Sequence, residues 1–216
     1  MSSPGPDTPW REAGFCVVDL ETTGLDPDND EIISFAALHI DGGRVRLDDA
    51  LYRLVRPERM PGRETILIHG LRSAELLEAP SLSESLEELL QALAGRALVA
   101  HVASVETGFL GAALRDTESR LNSPVIDTDT LAAELFRGRG GRPPRPYPLG
   151  ALAEALGLPV HRPHEADGDA LTTAQVFIAL ATHLDRASPQ TVGSLERLSK
   201  RGGGRMGPLA RLRQWL

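Results

Sequence analysis

The hydrophobic pattern opens with a compact apolar run at Phe15, Cys16, Val17 and Val18. Four consecutive strand formers bounded by polar residues predict a buried strand. Residues 32–40 predict a second strand, Asp41-Gly42-Gly43 is a hairpin turn signal, and residues 45–55 predict the returning strand. A loop follows over 57–63, then a short helix over 73–78 with Ser73 as its candidate N-cap. Leu82, Leu86, Leu89, Leu90 and Leu93 recur at helical spacing behind Ser81 or Ser83, and Gly95 ends that helix. Residues 97–100 predict a fourth strand, 103–114 a helix and 125–127 a fifth, short strand. Residues 131–136, 149–156 and 169–184 predict three more helices. Three antiparallel strands followed by alternating helices and strands predict an α/β domain, a mixed five-stranded sheet with helices on both faces.

Length and composition narrow the setting. A chain of 216 residues with 41% hydrophobic content suits one domain with a substantial core. Residues 1–13 read as a disordered leader, 14–186 as the domain, and 187–216 as a polar, basic and partly helical extension. No apolar run is long enough to span a bilayer, so no membrane partner is expected. The opening M-S-S-P-G-P-D-T-P lacks the basic-then-apolar form of a signal peptide. Cys16 is the only cysteine, so no internal disulfide forms and a reducing cytoplasm is the expected setting. A net charge of −7 argues against a protein that coats nucleic acid by bulk electrostatics.

The chemistry begins where the first apolar run ends. Asp19 and Glu21 are two apart, so on a strand they face the same side. Two carboxylates converging at the end of a buried strand repel and lose hydration, which is costly unless a cation sits between them. A bare D-x-E is most simply a strand running into a polar turn. D-L-E-T-T-G directly after an apolar strand is more specific, and this stretch resembles the first motif of the DEDDh 3′–5′ exonucleases. That superfamily contains the proofreading epsilon subunit of bacterial replicative DNA polymerase, and the resemblance implies a ribonuclease-H-like fold.

Further motifs of that family recur in order. His101-Val102-Ala103-Ser104-Val105-Glu106-Thr107-Gly108-Phe109-Leu110 keeps the family's frame after the fourth strand. It departs from the family at Glu106, where Asp is usual, at Val102, where Asn is usual, and at Val105, where Phe is usual. His164-Glu165-Ala166-Asp167-Gly168-Asp169-Ala170 matches H-x-A-x-x-D-A. His161 is the rival histidine and Asp167 the rival acid, but only His164 has the expected spacing to Asp169. Asp167 is read as solvated. Residues 64–71 resemble a segment in which the counterparts of Glu64 and His69 contact the terminal nucleotide and that of Ile68 wedges against a base. Asp127 is read as a cap at a helix start near the site. Arg137, Arg139, Arg142 and Arg145 share a Gly/Pro-rich loop, for which phosphate contact and a merely solvated loop are equal readings.

The resemblance implies a metal-dependent 3′–5′ exonuclease acting on a single-stranded 3′ end, DNA favoured, and releasing nucleoside 5′-monophosphates. It implies two Mg²⁺ or Mn²⁺ ions, which oxygen ligands select over softer metals. Asp19 would bridge both ions, Glu21 and Asp169 would complete the site of the nucleophile's metal, and Glu106 would act near the second through water. His164 would be the general base, with substrate contacts at Thr22, Gly24, Leu25, Glu64, Ile68, His69 and Gly70. Polymerase subunits are conceivable partners, although no sliding-clamp peptide is evident, which favours a stand-alone trimming enzyme. Two alternatives stay open: a weakened binding module marked by Glu106, and an RNA-trimming enzyme, since these motifs do not report a 2′-hydroxyl.

Overall fold

A computed structural model describes residues 3–115, 117, 119–137 and 146–201. Arg139, Arg142, Arg145 and the end of the chain past Arg201 lie outside the described residues. The central strand is β1 (Phe15–Thr22), with β2 (Ile32–Asp41) antiparallel on one side and β4 (Ala97–Ala100) parallel on the other. β3 (Arg44–Leu54) pairs antiparallel with β2, and β5 (Val125–Asp127) parallel with β4, giving the order β3-β2-β1-β4-β5. Gly42 and Gly43 both take positive φ, which the tight β2–β3 turn requires. The mixed five-stranded sheet matches the pattern expected from the sequence.

Eight helices are described: α1 (Arg63–His69), α2 (Ser73–Leu77), α3 (Leu82–Leu93), α4 (Ser104–Ala113), α5 (Thr128–Phe136), α6 (Leu149–Ala155), α7 (Ala166–Ala187) and α8 (Val192–Arg201). Successive residues of β1 serve two cores, as its alternation demands. Cys16, Val18 and Leu20 pack with Leu89 and Leu93 of α3 and Phe109 and Leu110 of α4. Phe15 and Val17 pack with Ala170, Ala174 and Phe177 of α7 and with residues of α5, α6 and α8. Asp19 and Glu21 continue the second series, so they point to the face that α7 crosses.

Several elements differ from expectation or sharpen it, some through strand pairing and some through local capping. β1 continues past its apolar run to Thr22 because β2 pairs with it throughout, with a bulge between Glu21 and Thr22. α1 is a helix in a stretch with no amphipathic stripe; Leu67, 75% exposed, faces outward. The cap of α2 is Arg72 rather than Ser73, its N–H donating to the Glu75 carboxylate at 2.9 Å. Of the two expected caps for α3, Ser81 is the one that serves, its N–H donating to Glu84 at 2.8 Å. α5 starts at Thr128 with Asp127 as N-cap, and α7 starts at Ala166.

The expected disordered leader is the largest correction. Trp10 is 1% exposed and meets Phe177 edge-on at 6.1 Å. The Val192 N–H donates to Thr8 O at 3.0 Å and the Gly193 N–H to Pro6 O at 2.8 Å. A Cβ on Gly193 would sit 2.8 Å from Pro6, so the glycine permits this contact. Val192 and Leu195 of α8 enter the same core as Trp10. Residues 3–13 and α8 are therefore built into the domain rather than appended to it. Among the described residues, no helix is long and apolar enough to cross a membrane.

Candidate active site

β1, β4 and β5 run parallel, so their C-terminal ends share one edge of the sheet, where the chain crosses from β1 to β4. Crevices at such switch points are where open α/β sheets bind ligands. A cleft of about 410 Å³ opens there. Asp19 and Glu21 enter it from β1, Asp169 from the first turn of α7, and Glu106 from the first turn of α4. One carboxylate oxygen from each of Asp19, Glu21 and Asp169 lies within 4.8 Å of the others. Glu106 stands outside that trio yet is 5% exposed, and its Oε2 is buried with no hydrogen-bond partner among the described residues.

The electrostatics are those of crowded like charges. Burial pushes the Asp19 carboxyl well above the ordinary carboxylate range, and Glu21, Asp169 and Glu106 push it further. Glu21 is raised to about 8, by burial and then by Asp169. Burial also raises Asp169, opposed by the His164 N–H, which donates to its Oδ2 at 2.9 Å. Glu106 is raised chiefly by burial, then by Asp127 and Glu21. Among the described residues, no lysine or arginine forms an ion pair with any of the four. Converged oxygen ligands that lack a cationic partner fit a hard divalent ion such as Mg²⁺ or Mn²⁺.

This arrangement sets a pH dependence of stability. A carboxyl whose folded pKa is raised favours the folded state below its unfolded pKa and loses that contribution as pH rises through the folded value. For Glu21 the window runs from its usual 4.5 to about 8. Metal-free protein is therefore expected to lose stability across that range. Added Mn²⁺ should raise Tm more at pH 8 than at pH 5.5, and a pH-independent gain would contradict the repulsion. Thermal melts with and without metal check it.

The histidines separate cleanly. His101 lines the cleft, but Nε2 meets Tyr147 O at 2.7 Å and Nδ1 meets Thr128 Oγ1 at 2.9 Å, so both ring nitrogens are engaged. His161 lies along α7, its N–H donating to Thr172 Oγ1 at 3.0 Å and its Nε2 3.3 Å from Gln175 Oε1. His164 is exposed at the cleft wall in a left-handed conformation, φ 62°. Of the three, only its ring stands in the cleft without a hydrogen-bond partner among the described residues. Asp167 pairs with Arg162 rather than being merely solvated, and it does not line the cleft.

Gly168 holds this histidine loop in place. A Cβ there would sit 2.4 Å from the Arg162 carbonyl oxygen and 2.8 Å from that of His161. Backbone cannot yield as a flexible side chain would. Gly168→Ala is expected to cost about 1–3 kcal/mol of stability and to lower turnover by displacing His164; unchanged unfolding would contradict it.

A second cavity of about 530 Å³ adjoins the first and holds Thr22, Gly24, Leu25, Glu64, Ile68 and His69. α1 forms its wall, tied to the β1 turn by Thr65 Oγ1 donating to Thr23 O at 3.2 Å. Ile68, 40% exposed, lines both cavities. His69 is buried, and burial lowers its pKa, favouring neutral imidazole. Nδ1 accepts the Leu71 N–H at 3.0 Å, which leaves Nε2 as an N–H donor without a partner among the described residues. Gly70 lines neither cavity: its φ of 73° ends α1. Gly24 lies so close to Asp30 that a Cβ would fall 2.4 Å from the carboxylate.

Sequence reasoning missed the opposite wall, made by Pro148, Leu149, Gly150 and Ala151 at the start of α6, with Val160 and Pro163. Apolar residues of a helix read alike whether they face a core or a cleft. No signal in the chain distinguishes them.

The fold and the carboxylate-lined cleft place the protein among the ribonuclease-H-like nuclease folds. The chain belongs to the exonuclease family, whose profile, described as Exonuclease (RNase_T), matches residues 16–177. It is 34% identical over 193 residues to the PolC-type DNA polymerase III of Thermotoga maritima, covering 89% of this chain but 14% of that protein. It is 31% identical over 174 residues to the DNA polymerase III subunit epsilon of Treponema pallidum, covering 80% of this chain and 79% of that one. Among solved structures it resembles exonuclease X in complex with 5′-overhanging duplex DNA. That likeness has a TM-score of 0.67 at 23% identity, over 86% of this chain and 99% of that one, and it speaks to the fold.

Proposed function

We propose that the chain is a metal-dependent 3′–5′ exonuclease that hydrolyses nucleic acid, DNA in preference, to nucleoside 5′-monophosphates. The observation that carries this reading is the convergence of Asp19, Glu21 and Asp169 in one cleft with the unengaged ring of His164. A pair of Mg²⁺ or Mn²⁺ ions would supply positive charge to the scissile phosphate and acidity to water. Asp19, Glu21 and Asp169 are the residues that would hold them, with Glu106 assisting from the α4 side. His164 accepts a proton from the attacking water at a ring nitrogen. Thr22, Gly24, Leu25, Glu64, Ile68 and the Nε2–H of His69 receive the terminal nucleotide in the adjoining cavity.

The DNA preference is supported by the names of the polymerase relatives. The epsilon relative supports an association with polymerase subunits as one setting for the domain. The lone buried Cys16 suits a reducing cytoplasm. Digestion of end-labelled single-stranded DNA, duplex DNA and short RNA, with Mg²⁺ or Mn²⁺ and with chelator, tests the reading. Faster trimming of RNA would replace the substrate, and no hydrolysis of any of them would refute the activity.

Glu106 carries the family's one changed carboxylate. Its position outside the trio suits action through an intervening water, which tolerates an extra methylene better than direct ligation does. Glu106→Asp is expected to retain or raise the rate. Glu106→Ala should lower it about 10–100-fold, as loss of an outer oriented group does, with circular dichroism unchanged. A rate equal to the parent's would make Glu106 a bystander.

A further inference from the structure

We propose that Asp127 is a positioning residue for Glu106: its carboxylate holds the Val102 N–H and so fixes the left-handed turn that carries the chain from β4 into α4. The proposal rests on the nuclease reading of the cleft for its effect on rate, and on packing alone for its effect on the turn. Asp127 lies opposite Ala100 in the β4–β5 pair. Its Oδ1 accepts the Val102 N–H at 3.1 Å and the Asp129 N–H at 3.0 Å, and its Oδ2 accepts from Thr130 Oγ1 at 3.3 Å.

Val102 is what makes this contact consequential. Its φ is 60°, and its side chain is buried. A β-branched L-residue fits that region badly, because Cβ crowds the neighbouring carbonyl. Strained backbone persists only where its surroundings over-determine it. Here Asp127 grips the Val102 N–H, while the Val105 N–H donates to Val102 O at 3.0 Å. Asp127 is itself anchored, its own N–H donating to Ser199 Oγ of α8 at 2.9 Å. Glu106 follows in the first turn of α4, so relaxation of Val102 would swing its carboxylate away from the cleft. Asp127 also stands close enough for its charge to help raise the Glu106 pKa. A purely electrostatic role must therefore be distinguished from a hydrogen-bonding one.

The test compares Asp127→Asn, Asp127→Ala and Val102→Gly, alone and combined, reading kcat and KM with Mn²⁺ and metal-free thermal unfolding. Asparagine keeps an oxygen for the Val102 N–H and remains a good N-cap. Asp127→Asn should keep kcat within about twofold of the parent, the scatter of independent sites. Asp127→Ala should lower kcat about 10–100-fold with KM little changed. In the Val102→Gly background, where the turn needs no grip, that loss should shrink to about twofold, and the accompanying fall in Tm should shrink to what the lost cap of α5 explains. Equal damage from Asn and Ala would assign the role to charge and overturn the proposal, as would equal losses from Asp127→Ala in both backgrounds. If Asp127→Ala does not fold, recovery of folding on adding Val102→Gly supports the proposal and failure to recover overturns it. A parent without hydrolysis would sink the nuclease reading, while the unfolding comparison would still decide whether Asp127 holds the turn.

Discussion

Asp19→Asn should abolish nucleotide release while leaving the metal-free protein more stable than the parent at pH 8. The two effects have opposite signs because one group causes both. Asp19 belongs to the trio, and its ionised form is opposed by burial and by the charges of Glu21, Asp169 and Glu106. Asparagine preserves shape and removes the charge, so that repulsion disappears along with most of the cleft's affinity for a cation. Activity is expected to fall by at least the roughly 10²–10³-fold lost with a single oriented electrostatic group. A gain in stability bought with lost function is the usual mark of a strained active site. Thermal melts and single-turnover assays on the same preparation decide it. A drop in Tm that tracks the drop in rate would make Asp19 a structural carboxylate.

His164→Asn should reduce single-turnover rate by about 10²–10⁴-fold, the usual contribution of a positioned base. Asparagine is the instructive substitution because it tolerates the left-handed conformation of residue 164. It thereby spares the N–H that donates to Asp169. The rise in Tm on adding Mn²⁺ should survive in this variant, in contrast to Asp19→Asn. His161→Ala should cost little rate, since that side chain lies along α7 beside Gln175. If His161→Ala proves the slower enzyme, the assignment of the base is wrong.

Residues that share one element are legible in the amino-acid sequence itself. Asp19 and Glu21 are aligned by strand alternation alone. The spacing from His164 to Asp169 places both at the entry to one helix, although that helix begins at Ala166 rather than at Asp169 itself. The succession of strands along the chain likewise follows from a pattern that each strand carries by itself. What escaped depends on distant partners. Pro6, Thr8 and Trp10 look like a loose leader until α8 supplies their hydrogen bonds and Phe177 a surface for the indole. Glu106 is legible only through its register in the resembling motif; its burial comes from the packing of α4 against β1. α1 has no inward stripe to announce it, because its apolar residues Leu67 and Ile68 face the solvent and the cleft.

The most direct measurement is the identity of the first product released from a single-stranded DNA carrying distinct labels at its two ends. The protein is assayed with Mn²⁺, with Mg²⁺ and with excess chelator, beside Asp19→Asn. The expected result is a labelled nucleoside 5′-monophosphate from the 3′ end, formed only with metal and absent from the Asp19→Asn reaction. Release that persists in excess chelator, begins at the 5′ end, or is undiminished by Asp19→Asn would contradict a metal-dependent 3′–5′ exonuclease built on this cleft.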